Sequence, residues 1–78
     1  MITYNIGDTL TCEKEMTAYD SQKNQISVCK GETYEVTDKE EYETGSVYYE
    51  LYNEDRDLWL TLWNDPEHEI VDWHFRKN

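Results

Sequence analysis

Apolar and polar positions alternate in four separate stretches of this chain, and each stretch reads as a short strand. In residues 9–15, opened by Gly7-Asp8, Leu10 and Cys12 point to one side and Thr9, Thr11 and Glu13 to the other. Residues 16–27 are polar and without clear period, and read as a long loop. Lys30-Gly31-Glu32 turns the chain into a second strand, 33–38, with Tyr34 and Val36 on one face. Glu40, Glu41 and Glu43, together with Thr44-Gly45-Ser46, form an acidic connection.

The third strand, 47–53, sets Val47, Tyr49 and Leu51 against Tyr48, Glu50 and Tyr52. A turn over 54–57 leads into a fourth, 58–63, where Leu58, Leu60 and Leu62 alternate with Trp59, Thr61 and Trp63. A four-residue turn pairs Asn53 with Leu58 and puts the leucines on the face of Val47, Tyr49 and Leu51. A turn longer by one residue would flip that match, so the register rests on the apolar agreement. In the tail, Asn64-Asp65-Pro66-Glu67 is a helix start, yet residues 70–75 suit a strand equally well. A single helical turn followed by an extended closing segment is expected. The pattern predicts a mainly β chain, one domain over 1–78, built as a small antiparallel barrel of four to five strands with a short C-terminal helical turn.

Composition changes this picture in one respect. Hydrophobic residues are 37% and charged residues 32% of the 78, proportions that approach disorder. Three Trp, seven Tyr and one Phe offset this, because each aromatic buries about 150–250 Å². The core is therefore expected to be small and aromatic.

Charge is the strongest signal. Eighteen acids against seven bases leave a net charge of -11, of which -3 lies in residues 1–39 and -8 in residues 40–78. A field of this sign repels phosphate, which argues against direct nucleic-acid binding and against anionic membrane surfaces. The N-terminal residues lack a basic region followed by an apolar stretch, and no apolar run approaches the ~18 residues of a membrane span. Cys12 and Cys29 match no zinc spacing and are too few for a disulfide framework, so reduced thiols in a cytoplasmic protein are expected.

The order Gly7-Asp8-x-Leu10-x-Cys12, then Val28-Cys29-Lys30-Gly31-Glu32-x-Tyr34-Glu35-Val36, then an Asn/Asp-rich hairpin and a terminal Phe75, resembles the small SH3-like barrel proteins scattered through bacteriophage genomes. The likeness spans most of the chain. It implies a five-stranded barrel with a long first loop and says little about activity, since such barrels host many roles. The Trp-rich fourth strand and the acidic second half depart from the general pattern.

Catalytic motifs are missing: there is no Ser-His-Asp order, nucleophile elbow or Gly-rich phosphate loop, and no enzyme activity or cofactor is expected. Asn53-x-Asp55-x-Asp57 copies the start of a calcium loop, but Leu58 stands where Gly belongs and Asn64 where Glu belongs. His68 and His74 are not spaced as a one-face helix pair. A solvated turn and no metal site follow.

What remains is the combination of acid and aromatic. With the leucine face in the core, Tyr48, Tyr52, Trp59 and Trp63 share the opposite face of the hairpin, where such residues anchor interfaces. The competing expectation is that the curved barrel buries part of them against Trp73 and Phe75. Around them stand Glu40, Glu41, Glu43, Glu50, Glu54, Asp55 and Asp57. Together these residues point to a protein-binding surface, and its natural complement is a basic cleft that otherwise holds nucleic acid. The leading expectation is a phage-encoded inhibitor in the bacterial host cytoplasm. It would present a DNA-like acidic surface to a CRISPR nuclease, a restriction enzyme, or a transcription or replication factor. The alternative is an SH3-like module that binds a peptide or assembles with itself, an exposed edge strand leaving room for a homodimer.

Overall fold

The computed structural model describes residues 2–20 and 22–78. Its strands are β1 (Thr9–Cys12), β2 (Met16–Tyr19), β3 (Gln25–Val28), β4 (Thr33–Glu41), β5 (Val47–Asn53), β6 (Leu58–Asn64) and β7 (Phe75–Lys77), with a short helix α1 (Ile70–His74) before the last. They form one sheet in the order β3-β2-β6-β5-β4-β1-β7, antiparallel throughout. The sheet is curled into a half-barrel, mainly β as the sequence predicts.

Seven strands stand where the pattern predicts four to five. The extra ones come chiefly from residues 16–27, which form a hairpin rather than a long loop. Met16 pairs with Val28 and Ala18 with Ile26, so these four share the inward side, but only Ala18 and Val28 are fully buried. The hairpin turn is fixed by Asp20, whose Oδ1 accepts from the N–H groups of Gln22 and Asn24, both at 2.8 Å. The first strand ends at Cys12 instead of continuing to residue 15. There the N–H of Glu13 leaves the sheet to donate to the carbonyl of His74 at 2.7 Å.

Strand β4 runs to Glu41, beyond the predicted end at residue 38, so Glu40 and Glu41 belong to the sheet rather than to a connection. A bulge at Thr37 shifts its register between Val36 and Asp38. The hairpin of β5 and β6 has the predicted register, with Leu58 opposite Asn53 and Leu60 opposite Leu51.

The tail departs from expectation in one detail. Asn64 is the buried last residue of β6, and Asp65 closes a turn, accepting from the N–H groups of Glu67 and His68 through Oδ1. The helical turn begins later, at Ile70, and Phe75–Lys77 closes the sheet beside β1.

Alternate residues of the inward face make the core: Leu10, Cys12, Tyr34, Val36, Val47, Tyr49, Leu51, Leu60 and Leu62, with Val71, Phe75 and Tyr4 laid over them. Tyr4 meets Tyr49 edge-on at 5.7 Å, and Tyr34 meets Phe75 at 5.8 Å. Burial pushes the Tyr34 hydroxyl up to about 12. The polar groups admitted to the core are satisfied: Asn53 donates to the Thr33 carbonyl at 3.1 Å and accepts from the Arg56 N–H at 2.8 Å. This spends the Asn53 side chain internally, which removes it from the calcium-loop pattern. Cys12 is buried and Cys29 exposed, both as free thiols.

Candidate functional site

Because side chains alternate along a strand, the residues between the core positions of β5 and β6 must share the outward face. Tyr48 stands opposite Trp63, Glu50 opposite Thr61, and Tyr52 opposite Trp59. The ring centroids of Tyr48 and Trp63 lie 4.9 Å apart in an edge contact, and those of Tyr52 and Trp59 lie 4.3 Å apart. Because Tyr48 and Tyr52 are four residues apart along β5, the two aromatic pairs are separated by about 14 Å of strand. The polar row of Glu50 and Thr61 lies between them.

Neighbouring strands extend this face on both sides. Glu35 of β4 is opposite Tyr52, Asp38 is opposite Glu50, and Glu40 is opposite Tyr48. Just past β4, Tyr42 stacks on Trp63 at 5.4 Å. From the other side Tyr19 of β2 pairs with Thr61. Tyr19, Tyr42, Trp59 and Trp63 remain 44–54% exposed, a large aromatic area left to solvent. The C-terminal segment does not cover it: Phe75 goes into the core and Trp73 is itself 50% exposed.

Carboxylates hold these rings in place. The Tyr42 hydroxyl donates to Glu40 Oε2 at 2.6 Å, and the Tyr52 hydroxyl donates to Asp57 Oδ1 at 2.9 Å. Each bond favours the protonated phenol, so both tyrosines ionise above their ordinary range. Thr37, carried by the bulge, places its hydroxyl 2.9 Å from Glu50 Oε1.

The face keeps its negative charge. Among the described residues none of Glu35, Asp38, Glu40, Glu50, Glu54, Asp55 or Asp57 forms an ion pair. Four of the seven Lys and Arg side chains are engaged elsewhere: Lys39 with Glu41 at 3.6 Å, Arg56 with Glu32 at 3.0 Å, Arg76 with Glu13 at 3.7 Å and Lys77 with Asp8 at 3.5 Å. Beside Tyr52 and Trp59 the face opens into a groove of about 360 Å³, lined also by Thr9, Thr33, Glu35, Thr37 and Glu54.

Of the residues singled out from sequence, Glu40, Tyr48, Glu50, Tyr52, Trp59 and Trp63 come together on this face. Glu54, Asp55 and Asp57 border it in the β5–β6 turn. Glu41 does not join it: opposite Val47, it projects from the other side of the sheet towards Lys39. Glu43 lies in the β4–β5 connection. Glu35, Asp38, Tyr42 and Tyr19 complete the face without having been singled out. The bulge at Thr37 reverses the parity of β4, so that 38, 40 and 42 face outward after 34 and 36 face inward, and no local residue signals that reversal.

Among the described residues no three His, Cys, Asp or Glu side chains converge to hold a metal ion, and no helix is long and apolar enough to cross a membrane. Comparisons with protein families, with curated proteins and with solved structures find no match to this chain. The face's acceptors without cations, spaced between aromatic plates, are chemically suited to positive charge.

Proposed function

We propose that this chain is a binding protein that docks the outward face of β4, β5 and β6 onto a basic protein surface, one that otherwise holds nucleic acid. Carboxylates of Glu35, Asp38, Glu40 and Glu50 take the positions of phosphates against Lys and Arg. Tyr48, Tyr52, Trp59 and Trp63 supply the desolvated anchors that fix orientation. In this reading the chain is an inhibitor of a host nucleic-acid-handling protein, of the kind carried by bacteriophages with SH3-like barrels, and it works in the bacterial cytoplasm.

One observation carries the proposal. Asp38 and Glu50 face each other across adjacent strands, unneutralised, between two exposed aromatic clusters. Like charges directly opposed in a sheet cost stability, and a small domain has little to spare. A basic partner converts that cost into affinity and a faster encounter.

The test is capture from lysate of a bacterial host with the tagged chain, eluted first with duplex DNA and then with salt. A nucleic-acid-binding protein released by DNA supports the reading. Replacing Asp38, Glu40 and Glu50 with Lys should abolish its capture, and undiminished capture by that variant refutes the electrostatic mimic. A partner indifferent to DNA and salt would instead favour a peptide-binding or self-assembling module. One edge offers that alternative little: β7 has three residues, two of them Arg76 and Lys77, and short charged edges resist pairing with a second copy, whereas the other edge, β3, is short but uncharged.

A further inference from the structure

We infer that the groove beside Tyr52 and Trp59 is a subsite for a single arginine side chain of the partner. The inference rests on the docking face proposed above and adds the chemistry of one contact within it.

Two aromatic rings form the floor. Trp59 and Tyr52 lie 4.3 Å apart with their planes inclined at 37°, and Trp59 is 45% exposed, so one indole face is open to stacking. Two carboxylates stand at the walls: Glu35, opposite Tyr52 in the register of β4 and β5, and Glu54, just past the end of β5. Among the described residues neither side chain accepts a hydrogen bond or meets a cation, unlike Glu40, Glu50 and Asp57, whose oxygens are held by Tyr42, Thr37 and Tyr52. Thr9, Thr33 and Thr37 add hydroxyl acceptors around the same space. Among the described residues no basic side chain lines it.

This combination selects a guanidinium over other cations. A guanidinium is planar and weakly hydrated, so it stacks on an indole while its edge donors reach outward in the plane. Its five N–H groups match two free carboxylates and a rim of hydroxyls. An ammonium is a compact, strongly hydrated point charge that satisfies one carboxylate and gains less from the ring face. A neutral ring such as a sugar would stack equally well but would leave both carboxylates uncompensated. The opposite aromatic cluster, Tyr42, Tyr48 and Trp63, lacks a comparable pair of free acids, because Glu40 is already bonded to Tyr42.

The experiment titrates the isotope-labelled chain with blocked tetra-arginine, blocked tetra-lysine and glucose, following the amides and the tryptophan indole N–H signals. Tetra-arginine should shift the Trp59 indole and the Glu35 and Tyr52 amides saturably, about tenfold more tightly than tetra-lysine, with no response to glucose. Trp59→Ala and Glu35→Gln should each weaken it by about tenfold, whereas Trp63→Ala should change it by less than about twofold. Because Trp59 and Glu35 are exposed, both variants are expected to fold, and Glu35→Gln keeps the shape of the groove. Equal binding of the two peptides, with shifts spread over the acidic face, overturns the arginine subsite and leaves the docking face standing. Glucose binding at Trp59 overturns the subsite in favour of a neutral ligand. Absence of binding by either peptide at low salt overturns both.

Discussion

Asp38 and Glu50 stand directly opposite each other on the outward face, their backbones paired across β4 and β5, and among the described residues neither carboxylate forms an ion pair. Among the described residues, relief comes from the Thr37 hydroxyl near Glu50 and the Lys39 N–H that donates to Asp38 Oδ1 at 2.8 Å. Asparagine at position 38 keeps that oxygen and removes the charge. Asp38→Asn should therefore stabilise the free protein by about 0.2–1 kcal/mol at low ionic strength. The gain should shrink in about 0.5 M salt, where the Debye length falls below the strand spacing. Urea unfolding at both salt concentrations measures it, and a loss of stability would mean the carboxylate has a structural partner.

A second relationship closes one end of the half-barrel. The Arg56 guanidinium, in the β5–β6 turn, donates to both Glu32 oxygens at 3.0 Å and to the Ser27 carbonyl of β3 at 2.9 Å. Glu32 also accepts from the Cys29 N–H at 2.7 Å. Burial pushes the Glu32 carboxyl up, but the Cys29 N–H and Arg56 outweigh it and hold the group below the ordinary carboxylate range. A depressed folded-state value adds stability that is complete above the unfolded value of about 4.3 and is lost as pH falls through the lower folded value. Glu32→Gln should cost about 1–2 kcal/mol at neutral pH, less than a fully buried charged bond because Arg56 is partly exposed. The difference between wild type and Glu32→Gln should narrow as pH drops from about 4.5. Unfolding curves from pH 7 to 3 check the sign.

The hairpin of β5 and β6 was legible in the sequence because seven-residue runs alternate without a break and one turn length alone aligns their apolar sides. The aromatic pairs followed from that register. Residues 16–27 were not legible, since the alternation of Met16 with Ala18 and of Ile26 with Val28 is too short on either side to mark a strand, and the hairpin takes its place only through the pairing of β2 with β6. Tyr4 shows the same limit from the other direction. Nothing near it in sequence marks it as core, yet it is 2% exposed because Tyr49 and Asp72, distant in the chain, bind it. On the docking face the hidden element is the Thr37 bulge, which decides that Asp38 and Tyr42 face outward and Glu41 does not.

Tyr4 and Tyr49 supply a third test. The Tyr4 N–H donates to the Tyr49 hydroxyl at 3.0 Å in a buried setting, and this bond ties the N-terminal segment to the centre of the sheet. Tyr49→Phe leaves a buried N–H without an acceptor and should destabilise the fold by about 1–3 kcal/mol. The Tyr4 amide should then exchange with solvent markedly faster, while amides of β2 and β3, far across the sheet, change only by the global loss. Hydrogen exchange followed residue by residue separates the local effect from the global one.

Trp63 distinguishes binding from folding. Its ring touches Tyr42 and Tyr48 on the outward face and is 46% exposed, while the core side of β6 at that point is carried by Leu62 and Asn64. Trp63→Ala loses aromatic contacts of about 0.5–1.5 kcal/mol each, partly offset because the remaining rings relax in solvent, so the fold should survive with a modestly lower melting temperature. Affinity for a basic partner should fall by at least about 2 kcal/mol if Trp63 is an anchor, about a thirtyfold loss, because anchors at desolvated centres dominate binding. Tyr42→Phe refines the reading: it keeps the ring on Trp63 and frees Glu40 from its hydrogen bond. That variant should bind the partner as well as wild type or better, with an unchanged salt dependence, since Glu40 keeps the same charge and only gains a free acceptor oxygen while no anchor is removed. If Trp63→Ala binds normally while Asp38→Lys does not, recognition is electrostatic alone. The reverse pattern would make the aromatic rings the interface and the acids its solubilising rim.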